Sequence, residues 1–190
     1  MARNIFLIAG PSGSGKTTLT QELVQRLPEL TKAVTVTTRD PRPGEIPGVD
    51  YRFVTAERFG EIQRSGELIE SDHAYDESYG VPRDVLDIVG DVAIVITING
   101  ALALRRQMAN TITLFVMPDC LSTATSRVLA RNSLNAESRI AGYQAEVLAS
   151  RHFDHVILNL DFTRSLRQIE EIILGRRGTI ETMMIQATRN

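Results

Sequence analysis

The chain has 190 residues, of which 43% are hydrophobic and 23% charged, an ordinary composition for one globular domain. Its 21 basic and 23 acidic residues give a formal charge of −2, which excludes a basic surface for a long polyanion, so no nucleic-acid partner is expected. The single cysteine excludes an internal disulfide framework and favours a reducing, cytoplasmic setting. The apolar run at residues 5–9 is too short for a membrane span, so no membrane partner is expected either.

The first predicted elements are a buried strand over residues 4–9, a loop rich in glycine and serine, and a helix over residues 16–26. The helix is indicated by three leucines on one face, at Leu19, Leu23 and Leu27. Strand, loop and helix in this order are typical of a phosphate-binding unit.

A β-rich segment follows, in which β-branched and polar residues alternate before a run of prolines and glycines. Its second strand is predicted around residues 51–54. Thr55 is predicted to cap a helix over residues 57–64, which Gly66 ends.

The second half of the chain alternates between apolar strands and helices. Strands are predicted at 91–98, 111–118 and 155–160, and helices at 101–108, 120–131, 136–150 and 162–176. The alternation predicts an α/β fold, in which helices cover a parallel sheet.

The strongest chemical signal is GPSGSGKT at residues 10–17, which satisfies the pattern G-x-x-x-x-G-K-[ST] between a strand and a helix. Its glycines let backbone N–H groups face a bound phosphate at a helix N-terminus. Lys16 is expected to reach the β- and γ-phosphates of ATP, and the Thr17 hydroxyl to bind Mg²⁺. The predicted nucleotide-binding residues of this loop are Gly10, Pro11, Ser12, Gly13, Ser14, Gly15, Lys16, Thr17 and Thr18.

The β-rich segment carries candidate groups for the acceptor. Arg39, Arg42 and Tyr51 lie close together in a segment stiffened by prolines, and two guanidinium groups near a phosphate loop suit a second phosphate. Glu70 and Tyr79 could complete such a pocket. Surface ion pairs and a core tyrosine explain the same spacing equally well, so the residues alone leave both readings open.

The ordered set GPSGSGKTT, TTRDPRPGE, GVDYRFV, GELIE and YG resembles the guanylate kinase family over residues 4 to about 175. The resemblance implies a P-loop NTPase-type parallel sheet wrapped by helices, with a small inserted β-rich acceptor-binding domain and a short lid. It implies a core of residues 1–31 and 85–190, an acceptor-binding subdomain of residues 32–84 and a lid at about 127–139. The implied reaction is phosphorylation of GMP or dGMP by ATP with Mg²⁺, with these small molecules as partners.

The resemblance also implies individual roles. The monophosphate would be held by Thr35, Arg39, Arg42, Tyr51 and Tyr79. Glu70 matches the carboxylate that accepts hydrogen bonds from guanine, and Asn159 matches an asparagine beside the adenine of ATP. The predicted catalytic residues are Lys16, Arg39 and three arginines that resemble those clamping the ATP phosphates in the family, Arg127, Arg131 and Arg139.

Three features depart from the family pattern. Val81 replaces a hydroxyl residue that donates to guanine O6, Val95 and Thr97 replace two acidic residues, and the lid is shorter. Val81 and the Asn99–Gly100 pair resemble ribose 1,5-bisphosphate phosphokinase instead, so another small phosphorylated acceptor stays open. A weakly active or non-catalytic binding module is a further alternative, and a homo-oligomer is not excluded.

Overall fold

The computed structural model describes residues 3–118, 125–126 and 142–187, with side chains up to Arg177. The strands are β1 (Ile5–Ala9), β2 (Leu30–Lys32), β3 (Thr35–Thr37), β4 (Tyr51–Phe53), β5 (Leu68–Ala74), β6 (Glu77–Pro82), β7 (Asp91–Val95), β8 (Thr111–Pro118) and β9 (His155–Asn159). The helices are α1 (Lys16–Arg26), α2 (Ala56–Arg64), α3 (Ile98–Gln107), α4 (Tyr143–Ala149) and α5 (Phe162–Ala187).

Five parallel strands form the central sheet, in the order β2-β7-β1-β8-β9. All five residues of β1 are buried because both faces of the sheet are covered. Phe6 and Ile8 pack toward the leucines of α1 and the apolar stripe of α5, whereas Leu7 packs toward Leu104 of α3. The central sheet thereby fixes the carboxyl end of β1, where the glycine-rich loop begins.

A second sheet of four strands has the order β4-β3-β6-β5. β3 is parallel to β4 and antiparallel to β6, and β5 and β6 form an antiparallel hairpin. Tyr75 and Asp76 turn this hairpin with φ of 56° and 63°, the left-handed conformation that a tight hairpin turn requires. Gly80 leaves room beside Leu68 and Phe59, since a Cβ there would come within 2.7 Å of Leu68 Cδ1.

The parallel sheet with helices on both faces confirms the predicted α/β class. The predicted cap at Thr55 is also observed, because its hydroxyl accepts a hydrogen bond from the Arg58 amide at 3.2 Å. None of the helices in the described ranges combines the length and hydropathy that a transmembrane span requires.

Three predicted boundaries differ from the observed ones by three residues or more. The strand expected over residues 91–98 ends at Val95, and α3 begins three residues before the predicted start because Thr97 accepts a hydrogen bond from the Gly100 amide at 3.0 Å. The last helix continues past residue 176 to Ala187. The predicted helix 120–131 lies outside the described residues apart from 125–126, and only 142–150 of the predicted helix 136–150 lie within them.

Candidate active site

The loop between β1 and α1 adopts a conformation that only glycine fits comfortably. Gly10, Gly13 and Gly15 have φ of 139°, 81° and 95°. A Cβ on Gly10 would stand 2.1 Å from the Val116 carbonyl oxygen, so β8 presses directly on the start of the loop. Successive amides at a helix N-terminus, wound by left-handed residues, form a concave site for an anion.

Lys16 lies folded over this loop. Its ammonium donates to the carbonyls of Gly10 at 2.7 Å and Pro11 at 2.8 Å, and lies 3.5 Å from the Ser14 hydroxyl. The positive charge is therefore already held at the mouth of the anion site, and a small rotation of a flexible side chain brings it to a phosphate.

Asn159, at the end of β9, contacts the backbone of the phosphate loop. Its side-chain amide donates to the Ser14 carbonyl at 2.8 Å, and a Cβ on Gly15 would come within 2.5 Å of the same nitrogen. Asn159 is buried and does not line the cleft, so the contact that the structure gives it is with the loop backbone. Its contact with adenine stays a prediction.

One cleft of about 430 Å³ joins the phosphate loop to the second sheet. Pro11 and Ser14 lie outside its lining, although both belong to the loop. Every predicted acceptor-binding residue lines it. The predicted residues that it brings together are Gly10, Ser12, Gly13, Gly15, Lys16, Thr17, Thr18, Thr35, Arg39, Arg42, Tyr51, Glu70, Tyr79 and Val81.

Glu45 organises the two arginines, a role that sequence reasoning missed. It pairs with the buried Arg39 guanidinium at 2.9 Å and accepts a hydrogen bond from the Arg42 amide at 2.7 Å. Burial alone would lower the pKa of Arg39, but the hydrogen bond and charge of Glu45 outweigh it and raise the pKa. The Arg39 guanidinium also lies 5.2 Å from the Tyr51 ring centroid, which orients it further.

Asp50 anchors the strand that carries Tyr51. Its carboxylate is buried and accepts from the Gln21 side chain and the Ile46 amide, each at 2.9 Å. Lys32 lies 3.7 Å from the same carboxylate. Burial raises the pKa of the Tyr51 phenol, which keeps it protonated and able to donate to a phosphate.

Glu70, on β5, lines the cleft and lies against the first turn of α3. A Cβ on Gly100 would come within 2.7 Å of its carboxylate, so glycine is required there. Burial, and secondly the charge of Asp72, raise the pKa of Glu70 to about 7. No residue within the described ranges donates a hydrogen bond to this carboxylate, which suits it to accept from a ligand.

The three positions that depart from the family pattern, Val81, Val95 and Thr97, all line the cleft. Val81 pairs with Glu70 in the hairpin register and is buried, so it offers no donor. Val95 and Thr97 also line the cleft, and the Thr97 hydroxyl accepts from the Gly100 amide. Val81, Val95 and Thr97 therefore share one cleft with Glu70, whereas the predicted shorter lid lies outside the described residues.

Asp72, Tyr75 and Glu146 also line the cleft, and none of them was predicted as a site residue. The Tyr75 hydroxyl donates to the Glu146 carboxylate, which joins the hairpin tip to α4. Burial raises the pKa of Glu146, opposed by the positive charge of Lys16. The short polar segment around Tyr75 could have predicted a turn, whereas no pattern in the sequence near Glu146 indicated a site residue. The predicted lid, with Arg127, Arg131 and Arg139, lies outside the described residues.

Comparisons with known proteins agree with this geometry. The guanylate kinase family model matches residues 2–175. A guanylate kinase of Wolbachia pipientis is 34% identical over 181 residues, covering 91% of this chain and 90% of that protein. One from a Nostoc species is 35% identical over 182 residues, covering 92% of each. The crystal structure of guanylate kinase from Anaplasma phagocytophilum superposes with a TM-score of 0.77 at 29% identity, covering 91% of this chain and 85% of that one. The chain belongs to the guanylate kinase family.

Proposed function

We propose that this protein transfers the γ-phosphoryl group of ATP to GMP or dGMP, yielding ADP and GDP or dGDP. The observation that carries the proposal is that the phosphate loop shares a cleft with two arginines, two tyrosines and a buried carboxylate. Family membership supports the same reaction. The single cysteine and the small-molecule substrates support a cytoplasmic setting.

The phosphate groups would be held from two sides. The loop amides and Lys16 would bind the ATP phosphates, while Arg39, Arg42 and the phenols of Tyr51 and Tyr79 would bind the monophosphate. Neutralising the charge on both phosphates lets them approach in line, so catalysis needs positioning and no covalent intermediate. Lys16 must break its hydrogen bonds to the Gly10 and Pro11 carbonyls before it can contact the ATP phosphates.

Magnesium fits the loop through Thr17, which follows Lys16 and lines the cleft. Mg²⁺ keeps several waters and takes few protein ligands when phosphates are present, so one hydroxyl is a sufficient protein contribution. When bound, the ion neutralises charge on the transferring phosphoryl group. Thr17 would hold it at the junction of loop and helix.

Guanine would be recognised by Glu70. An ionised carboxylate accepts from the N1–H and N2–H donors of guanine, and adenine presents no such pair. Val81 leaves guanine O6 without a side-chain donor at that position. Selection among bases would therefore depend mainly on Glu70.

Closure would protect the reaction from water. We propose that the acceptor-binding subdomain, residues 32–84, moves against the core formed by residues 1–31 and 85–190, and that the lid at 127–139 closes over ATP. Exclusion of water favours transfer over hydrolysis. Slow ATP hydrolysis in the absence of acceptor is the expected signature.

The test is ADP release with ATP and Mg²⁺ against GMP, dGMP, AMP, CMP, UMP and ribose 1,5-bisphosphate. The proposal predicts turnover with GMP, dGMP or both and at most traces with the other acceptors. Turnover with the sugar phosphate alone would overturn the choice of acceptor; the absence of a donor at Val81 is the observation that favours this second candidate. ATP binding without turnover on any acceptor would point to a binding module.

A further inference from the structure

Asp72 is half-buried, and one of its carboxylate oxygens is a buried hydrogen-bond acceptor without a donor. It lines the cleft, its Oδ2 atom is shielded from solvent, and no residue in the described ranges donates to it. A buried acceptor left unsatisfied costs about 1–3 kcal/mol, more for a charged group. A ligand that brings a donor to this point would recover that cost.

The hairpin register places Asp72 on the same face as Glu70 and directly opposite Tyr79. Glu70 pairs with Val81 and Asp72 pairs with Tyr79, so all four side chains project from one face of the hairpin. Positions two apart on a strand are separated by about 6.7 Å, the scale of one sugar ring and its substituents. Along this face of β5 the order is thus Glu70 and then Asp72, which pairs with Tyr79 of β6.

We propose that Asp72 accepts a hydrogen bond from a ribose hydroxyl of the acceptor nucleotide and makes the protein discriminate against an acceptor that lacks that hydroxyl. This inference rests on the proposed function, which assigns the base to Glu70 and the phosphate to Tyr79. Asp72 follows Glu70 on the same face of β5 and is paired with Tyr79, and the part of the nucleotide that joins base to phosphate is the sugar. A hydroxyl is the donor that the sugar offers, whereas a phosphate offers none at neutral pH and is repelled by the carboxylate.

The test compares kcat/KM for GMP, dGMP and 3′-deoxy-GMP in the wild type and in Asp72→Ala and Asp72→Asn. All three acceptors share one base and one phosphate, so any effect of Asp72 on Glu70 cancels in the ratio between acceptors. Asp76→Asn is the matched control, since Asp76 is an exposed carboxylate on the same hairpin and Asn tolerates its positive φ.

The wild type is expected to prefer GMP over one of the two deoxy acceptors by about tenfold or more, as for a hydrogen bond to a charged group. Asp72→Ala should bring the ratio close to one, Asp72→Asn should reduce it, and Asp76→Asn should leave it unchanged. Equal use of all three acceptors by the wild type, or an unchanged ratio in Asp72→Ala, would overturn the inference while GMP kinase activity stands. A wild type that uses none of them would refute the proposed function and the inference together.

Discussion

The pKa of Glu70 makes acceptor binding depend on pH in a specific way. Only the ionised carboxylate accepts both guanine donors, and the pKa of this group in the free protein is about 7. The ionised fraction therefore rises from roughly a quarter at pH 6.5 to roughly nine-tenths at pH 8. The Kd for GMP should fall about fourfold over this interval, because the apparent affinity scales with the fraction of competent protein.

Calorimetric titration of GMP at pH 6.5, 7.25 and 8 measures this dependence. The second ionisation of the GMP phosphate, near pH 6, contributes its own slope. Glu70→Gln corrects for this slope, since the variant retains the pH dependence that comes from the GMP phosphate and lacks the titrating carboxylate. The difference in slope between the two proteins is then the Glu70 contribution. Parallel profiles in the wild type and Glu70→Gln would refute this assignment.

The same carboxylate is expected to lower stability at alkaline pH. Its pKa of about 7 in the folded protein exceeds the ordinary value of 4.5, so the folded state binds the proton more tightly. Its stabilising contribution is present below pH 4.5 and is lost as the pH rises through 7. Glu70→Gln should therefore raise the free energy of unfolding at pH 8, by up to about 3 kcal/mol, and leave it nearly unchanged at pH 4.5. Urea denaturation at both pH values measures this, and equal changes at both would contradict it.

Three substitutions test other parts of the cleft. Lys16→Ala should lower kcat by at least about a hundredfold with the fold retained by circular dichroism, and full turnover would refute the phosphate-loop assignment. Gly10→Ala should lower the free energy of unfolding by more than about 3 kcal/mol because its Cβ meets backbone, whereas Gly44→Ala, with φ of 85° and nothing within 4 Å, should cost about 1–2 kcal/mol; equal losses would argue against the close approach. Gly100→Ala should weaken GMP binding because the added Cβ displaces the Glu70 carboxylate. The control is Gly60→Ala, at a helix position with open space around it, which should raise the free energy of unfolding by up to about 1 kcal/mol without affecting GMP binding. Unaltered GMP binding in Gly100→Ala would contradict the close contact between Gly100 and Glu70.

Local patterns predicted the parts of the fold that local forces determine. The glycines of the phosphate loop, the leucine stripe of α1 and the cap at Thr55 each depend on near neighbours, and all three are observed. The apolar strands of the central sheet were equally readable, because a strand buried on both faces has a continuous hydrophobic sequence.

The hairpin of β5 and β6 was not predicted as strands for a physical reason. Its inward face lines the cleft and carries Glu70 and Asp72, so the apolar alternation that indicates a strand is missing. The support that Glu45 gives to Arg39, and that Asn159 gives to the loop, depends on contacts that the sequence alone does not specify. Residues that support a site are thus harder to predict than residues that match its motif.

The most direct test of the proposed reaction is the fate of a radiolabel in the γ-phosphoryl group of ATP. With GMP and Mg²⁺ present, the label should appear in GDP in equal amount to the ADP formed, and release as inorganic phosphate should be a small fraction. Label found only in inorganic phosphate, or retained in ATP despite nucleotide binding, would contradict the proposal that this cleft joins an ATP phosphate site to a GMP site.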